Sequence, residues 1–348
     1  MTPLRILILS DGRPGHFNLS EGIAAALGRL RPTALERVQV RRGRWPGALL
    51  AALTNARLPA TTMLRLVYGL DYTTLPPADV IVSAGAETLA ANIWLARIRS
   101  VPNVFYGSLR RFHPTDFAVV MTSYARNADR PRHMLALKPS AFDPDQLAAG
   151  RQRAPTGEPP RRLALLIGGN AGTFTYADAD WDQLLGFLPK AHAESGSSWT
   201  VSNSRRTPGH VSDRIASMAR DPASGIERFI DVRAPGSGPL ADVLTVVDAV
   251  ICTDDSSSMI SECIWARLPV VGVTPLQFHH TRDESEYREW LATSGWCRTL
   301  PIADLTTQRL LATLADIKPL RDNPLDALAA RLDAVILLRI GHDKAPLA

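Results

Sequence analysis

Residues 249–262, AVICTDDSSSMISE, join a short apolar run to a segment rich in serine and aspartate. The run at 249–252 is apolar at every position, which is typical of a strand covered on both faces in a parallel sheet. The polar segment after it opens a helix, for which Asp255 or Ser256 would be a good N-cap. Because a strand that leads straight into a helix is half of a βαβ unit, the stretch predicts a parallel α/β fold.

The same pattern of apolar run, polar turn and helix-like segment recurs in both halves of the chain. Nine further apolar runs lie at 4–9, 35–40, 78–82, 103–106, 117–121, 163–167, 199–202, 227–230 and 270–273. Strand–helix alternation with right-handed crossovers gives open parallel sheets. We therefore expect two Rossmann-like domains whose parallel sheets face a central cleft, with a nucleotide-type ligand in that cleft.

The length of 348 residues suits two domains of about 150 residues each. The segment 150–162, GRQRAPTGEPPRR, has almost no apolar residue and is the best linker candidate. We predict a first domain at 1–150 and a second at 151–323. The remainder, 324–348, would form a C-terminal helix that packs back on the first domain.

The net charge of +5 conceals an asymmetry, because residues 1–150 carry +8 and residues 151–348 carry −3. A basic half favours an anionic partner, such as a membrane surface or a phosphorylated acceptor, although a solvated basic surface explains it equally well. No recognised nucleic-acid-binding motif accompanies the basic half, so nucleic acid is not an expected partner.

Three features bear on localisation. No apolar stretch reaches the roughly 18 residues that a membrane span needs. The N-terminal apolar run is short and ends at Asp11, which argues against a signal peptide. The three cysteines have no metal-binding spacing and suit a reducing compartment. We expect a cytoplasmic protein and leave open a peripheral position on the inner face of the membrane.

The turn at 10–16, SDGRPGH, follows the first predicted strand. Open parallel sheets bind ligands beyond the carboxyl ends of their strands. Gly12 and Gly15 would let the backbone approach a ligand closely, and Arg13 lies between them. We assign these three residues to the cleft, although an ordinary strand–helix turn has the same composition.

Two candidate acid–base groups lie in this turn. Histidine is the side chain best suited to exchange a proton near neutral pH, so His16 would serve as a catalytic general base. Asp11 would either be that base itself or orient His16. The helix that follows is expected to start near Asn18 or Ser20.

A second turn, SAGAET at 83–88, follows another predicted strand and is expected at the same edge of the cleft. We assign Ser83, Gly85 and Glu87 to that edge. Glu87 can also be interpreted as a first-turn acid that interacts favourably with the helix dipole.

Residues 168–173, GGNAGT, form a glycine-rich turn at the start of the second half. Backbone amides at such a turn can cradle a diphosphate, and we assign Gly168, Gly169 and Asn170 to donor binding. The turn matches neither the P-loop nor the GxGxxG pattern, which disfavours a simple ATPase or NAD enzyme. Arg206, after the next strand, would contact phosphate oxygens.

The serine- and aspartate-rich turn is the strongest candidate site. Asp255, Ser256, Ser257 and Ser258 would hold a phosphate through their side chains and the first amides of the helix. Glu262 lies about two turns into that helix, where a carboxylate can accept both hydroxyls of a ribose.

Other polar segments carry less information. The segment 278–284, FHHTRDE, precedes a helix and is interpreted as a solvated helix start rather than a contact to a sugar or phosphate. The sequence contains no HxH or HExxH pattern, so we expect no metal site and no cofactor.

In combination, SDGRPGHFNLSEG, SAGAET, LLIGGN, SNSRRTP and TDDSSSMISE resemble the mitochondrial fission Elm family over about residues 4–291. Bacterial members of that family are often labelled nucleoside-diphosphate-sugar epimerases. The run TDDSSSMISE, followed by ARLPVVGV, also resembles the donor-binding segment of GT-B glycosyltransferases. GRPGH and GGNAGT resemble loops of the lipid II-forming N-acetylglucosaminyltransferase.

This resemblance implies a GT-B-like fold in which the second domain binds the donor and Glu262 binds its ribose. It places the terminal histidine of the first loop at His16. A GT-B enzyme usually has glycine where Ser256 stands, so the phosphate loop is expected to differ in shape.

Three functions remain open at this stage. The first is a metal-independent, inverting glycosyltransferase that takes a UDP- or other nucleotide-diphosphate sugar as substrate and an anionic or lipid-linked acceptor. The second is a sugar-nucleotide epimerase on the same fold. The third is a non-catalytic GT-B-like scaffold that recruits a protein or membrane partner, with Arg41, Arg42 and Arg44 beside Trp45 touching anionic lipid.

Overall fold

The computed structural model describes residues 2–151, 158–236 and 238–342, and the side chains only as far as residue 336. Six residues of the predicted linker, 152–157, lie outside the described residues. The chain divides into two compact units. Unit 1 comprises Met1–Ala141 and Asp322–Ala348, and unit 2 comprises Phe142–Arg321.

The strands alternate with helices along almost the whole chain, as the sequence predicts. In chain order the strands are β1 (Leu4–Ser10), β2 (Thr33–Gln39), β3 (Val80–Ala84), β4 (Asn103–Tyr106), β5 (Val119–Thr122), β6 (His133–Leu135), β7 (Arg162–Leu166), β8 (Phe174–Thr175), β9 (Ser198–Ser202), β10 (Ile226–Ile230), β11 (Ala249–Thr253), β12 (Val270–Thr274), β13 (Gln277–Phe278) and β14 (Cys297–Pro301).

The helices fill the intervals between these strands and follow the last one. In chain order they are α1 (Pro14–Gly28), α2 (Gly47–Asn55), α3 (Ala60–Tyr68), α4 (Leu89–Arg99), α5 (Pro144–Ala149), α6 (Asp178–Ser195), α7 (Gly209–Met218), α8 (Leu240–Leu244), α9 (Ser257–Trp265), α10 (Arg282–Thr293), α11 (Thr307–Ala315) and α12 (Pro324–His342). No helix within the described ranges is both long enough and apolar enough to cross a bilayer.

Each unit contains one parallel six-stranded sheet. The order in unit 1 is β2-β1-β3-β4-β5-β6, and the order in unit 2 is β10-β9-β7-β11-β12-β14. Counted within unit 2 alone and without the short β8–β13 ribbon, that order is 3-2-1-4-5-6, as in dinucleotide-binding doubly wound sheets. The predicted α/β class, with two Rossmann-like parallel sheets, is therefore confirmed.

The order of strands reverses once in each sheet, between β1 and β3 in unit 1 and between β7 and β11 in unit 2. At such a switch point the loops leave two neighbouring strands in opposite directions, and a crevice opens between them. The loops after these four strands are the turns that the sequence predicts as sites. The topology thus gives each unit one favoured ligand position.

Each unit also has its own apolar core. In unit 1 the buried helix α4 carries Trp94, whose ring meets that of Tyr68 edge-on at 6.0 Å between centroids. In unit 2 Trp199 on β9 meets Phe187 of α6 edge-on at 5.8 Å. The central strands β3 and β11 are buried along their whole length, because helices cover both faces of their sheets.

Edge strands account for most of the differences from the predicted strands. The predicted run at 35–40 is a strand, but β2 is solvent-exposed at six of its seven positions rather than covered on both faces. Strands β6 and β14 were not predicted from the sequence. All of β6 is partly buried, whereas β14 mixes buried, partly buried and exposed positions. A strand at the edge of a sheet needs no continuous apolar run, so this criterion does not detect it.

Two helix starts differ from expectation. Helix α1 begins at Pro14, not near Asn18 or Ser20, because proline suits the first helical position. His16 therefore lies in the first turn of the helix. Helix α4 begins at Leu89 after the N-cap Thr88, so Glu87 precedes the helix and is not a first-turn acid.

The boundary between the units lies nine residues before the predicted boundary at residue 150. Helix α5 belongs to unit 2 because residues of unit 2 contact it and the segment before it. Trp265 Nε1 donates to the carbonyl of Phe142 at 3.0 Å, and Arg267 pairs with Asp145. The C-terminal helix α12 belongs to unit 1, where Arg29 of the segment after α1 pairs with Asp326 at 2.6 Å.

Candidate functional site

The loops after β7 and β11 meet at the switch point of unit 2. The amide of Gly168 donates to Thr253 Oγ1 at 2.6 Å, and the amide of Gly169 donates to Asp255 Oδ2 at 3.3 Å. These bonds join the glycine-rich turn to the serine- and aspartate-rich turn. The structure therefore brings the two strongest sequence candidates of this unit together.

Glycine is required at both positions of this contact. A Cβ on Gly168 would lie 2.2 Å from Asp255 Oδ2. Gly169 adopts a φ of +152°, and a Cβ there would lie 2.2 Å from the carbonyl oxygen of Arg206. No side chain fits into either gap, because real Cβ atoms do not approach heavy atoms so closely. Glycine at these two positions thus allows the backbone to lie close to Asp255 and Arg206.

We call the meeting point of the two turns, residues 168–172 and 253–258, the unit 2 corner. Asp255 is the buried carboxylate that holds this corner together. It accepts from the amide of Gly169, from Tyr176 OH at 3.2 Å and from Arg206 Nη2 at 2.5 Å. Burial, reinforced by the negative charge of Asp255, raises the pKa of Tyr176, so that its hydroxyl stays protonated and donates. The side chain of Asp255 is fully buried and holds the loop and Arg206 in position, and its assignment to donor binding stays a prediction.

The other predicted members of the corner occupy distinct positions. Asn170 accepts from the amide of Tyr176 at 2.8 Å through its side chain, which closes the glycine-rich turn. Ser256, and not Asp255, is the N-cap of α9, and its hydroxyl accepts from the amide of Met259. The first turn of α9 therefore carries the positive end of the helix dipole at the switch point.

A pocket of about 260 Å³ lies beside this corner within unit 2. Its lining residues come from the glycine-rich turn, the start of α9 and the start of α10: Ala171, Gly172, Thr173, Phe174, Asp254, Asp255, Ser257, His280, Thr281, Glu284 and Arg288. Hydroxyl, carboxylate, guanidinium and imidazole groups thus surround one small volume, together with an aromatic ring. Such a mixture suits a polar ligand that both donates and accepts hydrogen bonds.

Arg288 is the most informative residue of the pocket, with a side chain that is only 10% exposed. Its Nε donates to Asp254 Oδ1 at 2.8 Å, and its Nη2 donates to the carbonyl of Asp254 at 2.9 Å. Its Nη1 is buried and makes no hydrogen bond among the described residues, since Glu284 Oε2 is 3.8 Å away. A buried donor without an acceptor is costly unless a ligand or water supplies one.

The segment 278–284 is not simply a solvated helix start. Thr281 does cap α10, but His280 is only 17% exposed, and its Nε2 lies 3.1 Å from Asp254 Oδ2. Its ring also meets the ring of Phe174 edge-on at 5.4 Å between centroids. Histidine and arginine therefore share the buried carboxylate of Asp254.

Two predicted ligands lie away from this pocket. Ser258 and Glu262 are four residues apart on α9 and so share one face of the helix, with Ser258 exposed and Glu262 half-buried. The pocket instead receives Ser257, which is on a different face. Ser258 and Glu262 thus form a second polar strip on the same helix.

The switch point of unit 1 holds a carboxylate–histidine pair. His16 Nδ1 lies 2.8 Å from Asp11 Oδ2, and the Asp11 side chain is almost fully buried. The other oxygen of Asp11 accepts from the amide of Arg13 at 3.1 Å. A carboxylate at Nδ1 fixes the tautomer in which Nε2 is the basic nitrogen. Asp11 therefore orients His16, and the alternative in which Asp11 is the base loses support.

Gly85, in the turn after β3, makes room for this pair. A Cβ on Gly85 would lie 2.2 Å from His16 Nδ1, and its φ of +89° also favours glycine. Gly12 likewise has a positive φ, of +80°. The two turns of unit 1 thus come together as the sequence predicts.

Of the remaining residues assigned to unit 1, two are exposed and two contact other side chains. Gly15 has open space around it, and Arg13 is exposed. Ser83 is fully buried within β3 and accepts from Asn92 Nδ2 at 2.8 Å, so its side chain cannot line a cleft. Glu87 pairs with Arg42 at 2.8 Å.

Three residues of the site were not predicted from the sequence: Asp254, Tyr176 and Arg288. Asp254 adjoins Asp255 in the quoted run, so only its role was overlooked. Tyr176 and Arg288 lie in segments without a recognisable motif, and only their burial beside the two aspartates reveals them. Among the described residues, no group of three or more histidine, cysteine, aspartate or glutamate side chains could hold a metal ion.

Comparison with known proteins places the chain in a family. The sequence profile described as Mitochondrial fission ELM1 matches residues 14–332. The chain belongs to this family. No curated protein sequence matches it.

The chain shares its fold with solved enzymes of low sequence identity. The UDP-GlcNAc 2-epimerase of Methanocaldococcus jannaschii superposes with a TM-score of 0.53 and 11% identity, covering 97% of this chain and 100% of that one. The UDP-GlcNAc 2-epimerase of Neisseria meningitidis, bound to UDP-GlcNAc, superposes with a TM-score of 0.51 and 10% identity, covering 97% of this chain and 100% of that one. The kitacinnamycin glycosyltransferase superposes with a TM-score of 0.50 and 13% identity, covering 98% of this chain and 95% of that one. These likenesses show the fold, and the predicted GT-B-like class is confirmed.

Proposed function

We propose that this ELM1-family protein is a glycosyltransferase whose unit 2 binds a nucleoside-diphosphate sugar. The observation that carries the proposal is the corner at the unit 2 switch point. There the amide of Gly168 donates to Thr253 Oγ1 at the end of β11, just before α9. Two glycines that admit no Cβ, the N-terminus of a nine-residue helix and a cationic Arg206 surround one position. The amides of Gly168 and Gly169 are bonded to Thr253 and Asp255, so the N-terminal amides of α9, the helix dipole and the guanidinium of Arg206 are the groups that would bind the diphosphate.

The remaining parts of the donor have candidate contacts on either side of this corner. The strip of Ser258 and Glu262 on α9 would bind the ribose hydroxyls. The pocket beside Arg288 would receive the sugar, whose hydroxyls can accept from Nη1 and donate to the carboxylates around it.

The proposed reaction inverts the anomeric centre without a metal ion. His16, oriented by Asp11, takes the proton from the acceptor hydroxyl through Nε2. The acceptor oxygen then forms a bond to the anomeric carbon, the bond from that carbon to the phosphate oxygen breaks, and the diphosphate leaves with the electron pair. Arg206 and the N-terminus of α9 would stabilise its developing charge. The basic first half of the sequence favours an anionic or lipid-linked acceptor.

Isothermal titration with UDP, ADP, GDP and CDP tests the donor assignment. At least one of them should bind the wild type, and Glu262→Ala should weaken it by about ten- to a hundredfold, since a hydrogen bond to a charged group is worth about 1.5–3 kcal/mol. If no nucleoside diphosphate binds, or if Glu262→Ala binds equally well, the assignment fails. Asp316→Ala, a substitution in unit 2 after α11, is a matched acidic control.

A sugar-nucleotide epimerase is the second candidate, because solved epimerases share this fold across nearly their whole length. The two activities differ in their need for an acceptor. Incubation with candidate nucleotide sugars alone, followed by NMR, separates them: isomerised sugar without an acceptor supports the epimerase, and an unchanged donor supports the transferase.

A further inference from the structure

Helix α2 of unit 1 presents an unusual face to solvent. Its sequence, GALLAALTN, contains no charged residue. Leu50 and Thr54 are buried against the core, whereas Leu49 on the opposite side is 42% exposed. An exposed helix face without charge is uncommon on a soluble protein and marks an interaction site when it adjoins other apolar groups.

Two further leucines in the segment that follows α2 are also exposed. Leu58, in the turn between α2 and α3, is 39% exposed, and Leu66 on α3 is 59% exposed. Both helices pack against α4, so their outer faces lie on the side away from that buried helix. We call Leu49, Leu58 and Leu66, with the arginines around them, the α2–α3 surface.

The charge around these leucines is mainly positive, with Asp71 beside Arg65 and Leu66 as the acidic exception. The sequence has no aspartate or glutamate between Glu36 and Asp71 but contains six arginines there. Arg37 pairs with Glu21, and Arg42 pairs with Glu87. The other four are exposed: Arg41, Arg44, Arg57 and Arg65. The surface therefore combines apolar side chains with an excess of positive charge.

The structure changes which residues of this region can touch lipid. The sequence suggested Arg42 and Trp45 for this contact. Arg42 is engaged by Glu87, and Trp45 packs against the core of unit 1. The exposed leucines Leu49 on α2 and Leu66 on α3 are the apolar side chains that can insert into lipid.

We propose that the α2–α3 surface docks unit 1 onto an anionic membrane, with the leucines entering the interface and the arginines meeting lipid phosphates. Apolar insertion and attraction to anionic headgroups act together on such a surface. A second copy of the chain is a poorer occupant, because pairing this face with itself would bring like charges together. The inference does not depend on nucleotide binding by unit 2.

Co-sedimentation of the full chain with vesicles tests the proposal. The protein should bind vesicles of phosphatidylcholine mixed with phosphatidylglycerol, bind much less to phosphatidylcholine alone, and dissociate as salt is raised. The double variant Arg44→Gln, Arg57→Gln should lower the partition coefficient by about fivefold per charge removed. Leu49→Asp with Leu66→Asp should lower it by about tenfold or more.

Leu276→Asp is the matched control, because Leu276 in unit 2 is 83% exposed and lies outside the surface. It should bind vesicles as the wild type does. Circular dichroism and thermal unfolding establish that each variant is folded. The arginine variants leave the apolar face intact, so they remain informative if the leucine variant unfolds.

Three outcomes overturn the proposal. The first is a failure of the wild type to bind anionic vesicles. The second is equal binding by the wild type and the arginine variants. The third is a dimer in sedimentation velocity that the leucine variant abolishes, which would assign the surface to a second copy of the chain.

Discussion

Two buried carboxylates, Asp11 and Asp255, hold the groups that we assign to chemistry. Asp11 binds Nδ1 of His16 in unit 1, and Asp255 binds the amide of Gly169 and the guanidinium of Arg206 in unit 2. A carboxylate that is removed from water and bonded on several sides positions its partners better than it reacts. In each unit a buried aspartate thus fixes a cationic or basic group that we assign to chemistry.

The acid–base pair leads to a first prediction. His16→Ala should lower kcat by about 10²–10⁴-fold, because the acceptor hydroxyl loses its general base. Asp11→Asn should also lower kcat, since Nε2 is then no longer held as the basic nitrogen. Both variants should keep wild-type affinity for the nucleoside diphosphate, measured by titration. A large loss of that affinity, or an unchanged kcat, would contradict the role of the pair.

The glycine-rich turn leads to a second prediction. Gly168→Ala should lower the free energy of unfolding by about 1–3 kcal/mol and weaken nucleotide binding, because its Cβ would meet the Asp255 carboxylate at 2.2 Å. Gly186→Ala is the control: Gly186 lies within α6 with open space around it, and this change should stabilise by about 0.5–1 kcal/mol. Denaturant unfolding measures both. If the two variants behave alike, the close approach at Gly168 is not as described.

The cysteines lead to a third prediction. Cys252, Cys263 and Cys297 are buried, and this burial raises the pKa of each thiol, that of Cys297 to about 12. At pH 8 the native protein should therefore show almost no reaction with a thiol reagent, because the thiolate is the reactive form. All three should react once the protein is unfolded. Rapid modification of the folded protein would show that one of these thiols is accessible.

Among the elements, buried strands and polar turns were the predictable part. The run at 249–252 became β11 with one more residue, because a strand covered on both faces has to be apolar throughout. The strands β6 and β14 were not predictable in this way, since an edge position accepts polar residues. The sequence assigned the two unit 2 turns to one donor site, and the order of the sheet brings them together. Arg288 instead required knowledge of which side chain of α10 is buried.

The start of α9 leads to a fourth prediction. Ser256→Ala should lower the free energy of unfolding by about 0.5–2 kcal/mol, since the N-cap hydroxyl accepts from the amide of Met259. Ser258→Ala, at an exposed position of the same helix, should change stability much less. Urea unfolding of both variants measures the difference. Equal effects would mean that Ser256 does not cap the helix.

At the scale of the whole molecule, unit 1 is discontinuous in sequence, because α12 returns to it after unit 2 is complete. The amphipathic pattern of 324–340 predicted a helix, but no pattern within that segment states which core it covers. Only its partners decide this, including Arg29 opposite Asp326.

This connectivity leads to a fifth prediction. Leu332→Ala should destabilise by about 2–5 kcal/mol, because Leu332 on α12 is fully buried. Hydrogen exchange should rise in β1–β6 and change little in β7–β14, since each unit has its own core. Mass spectrometry resolves the two sets of strands. A uniform rise across both sheets would show that the units do not unfold separately.

A crystal structure of the full chain with a bound nucleoside diphosphate is the most direct test of the central claim. The account predicts electron density for two phosphates at the N-terminus of α9, within hydrogen-bonding distance of the glycine-rich turn and of Arg206. A nucleotide bound elsewhere, or a corner at 168–172 and 253–258 that stays free of phosphate at saturating nucleotide, would contradict it.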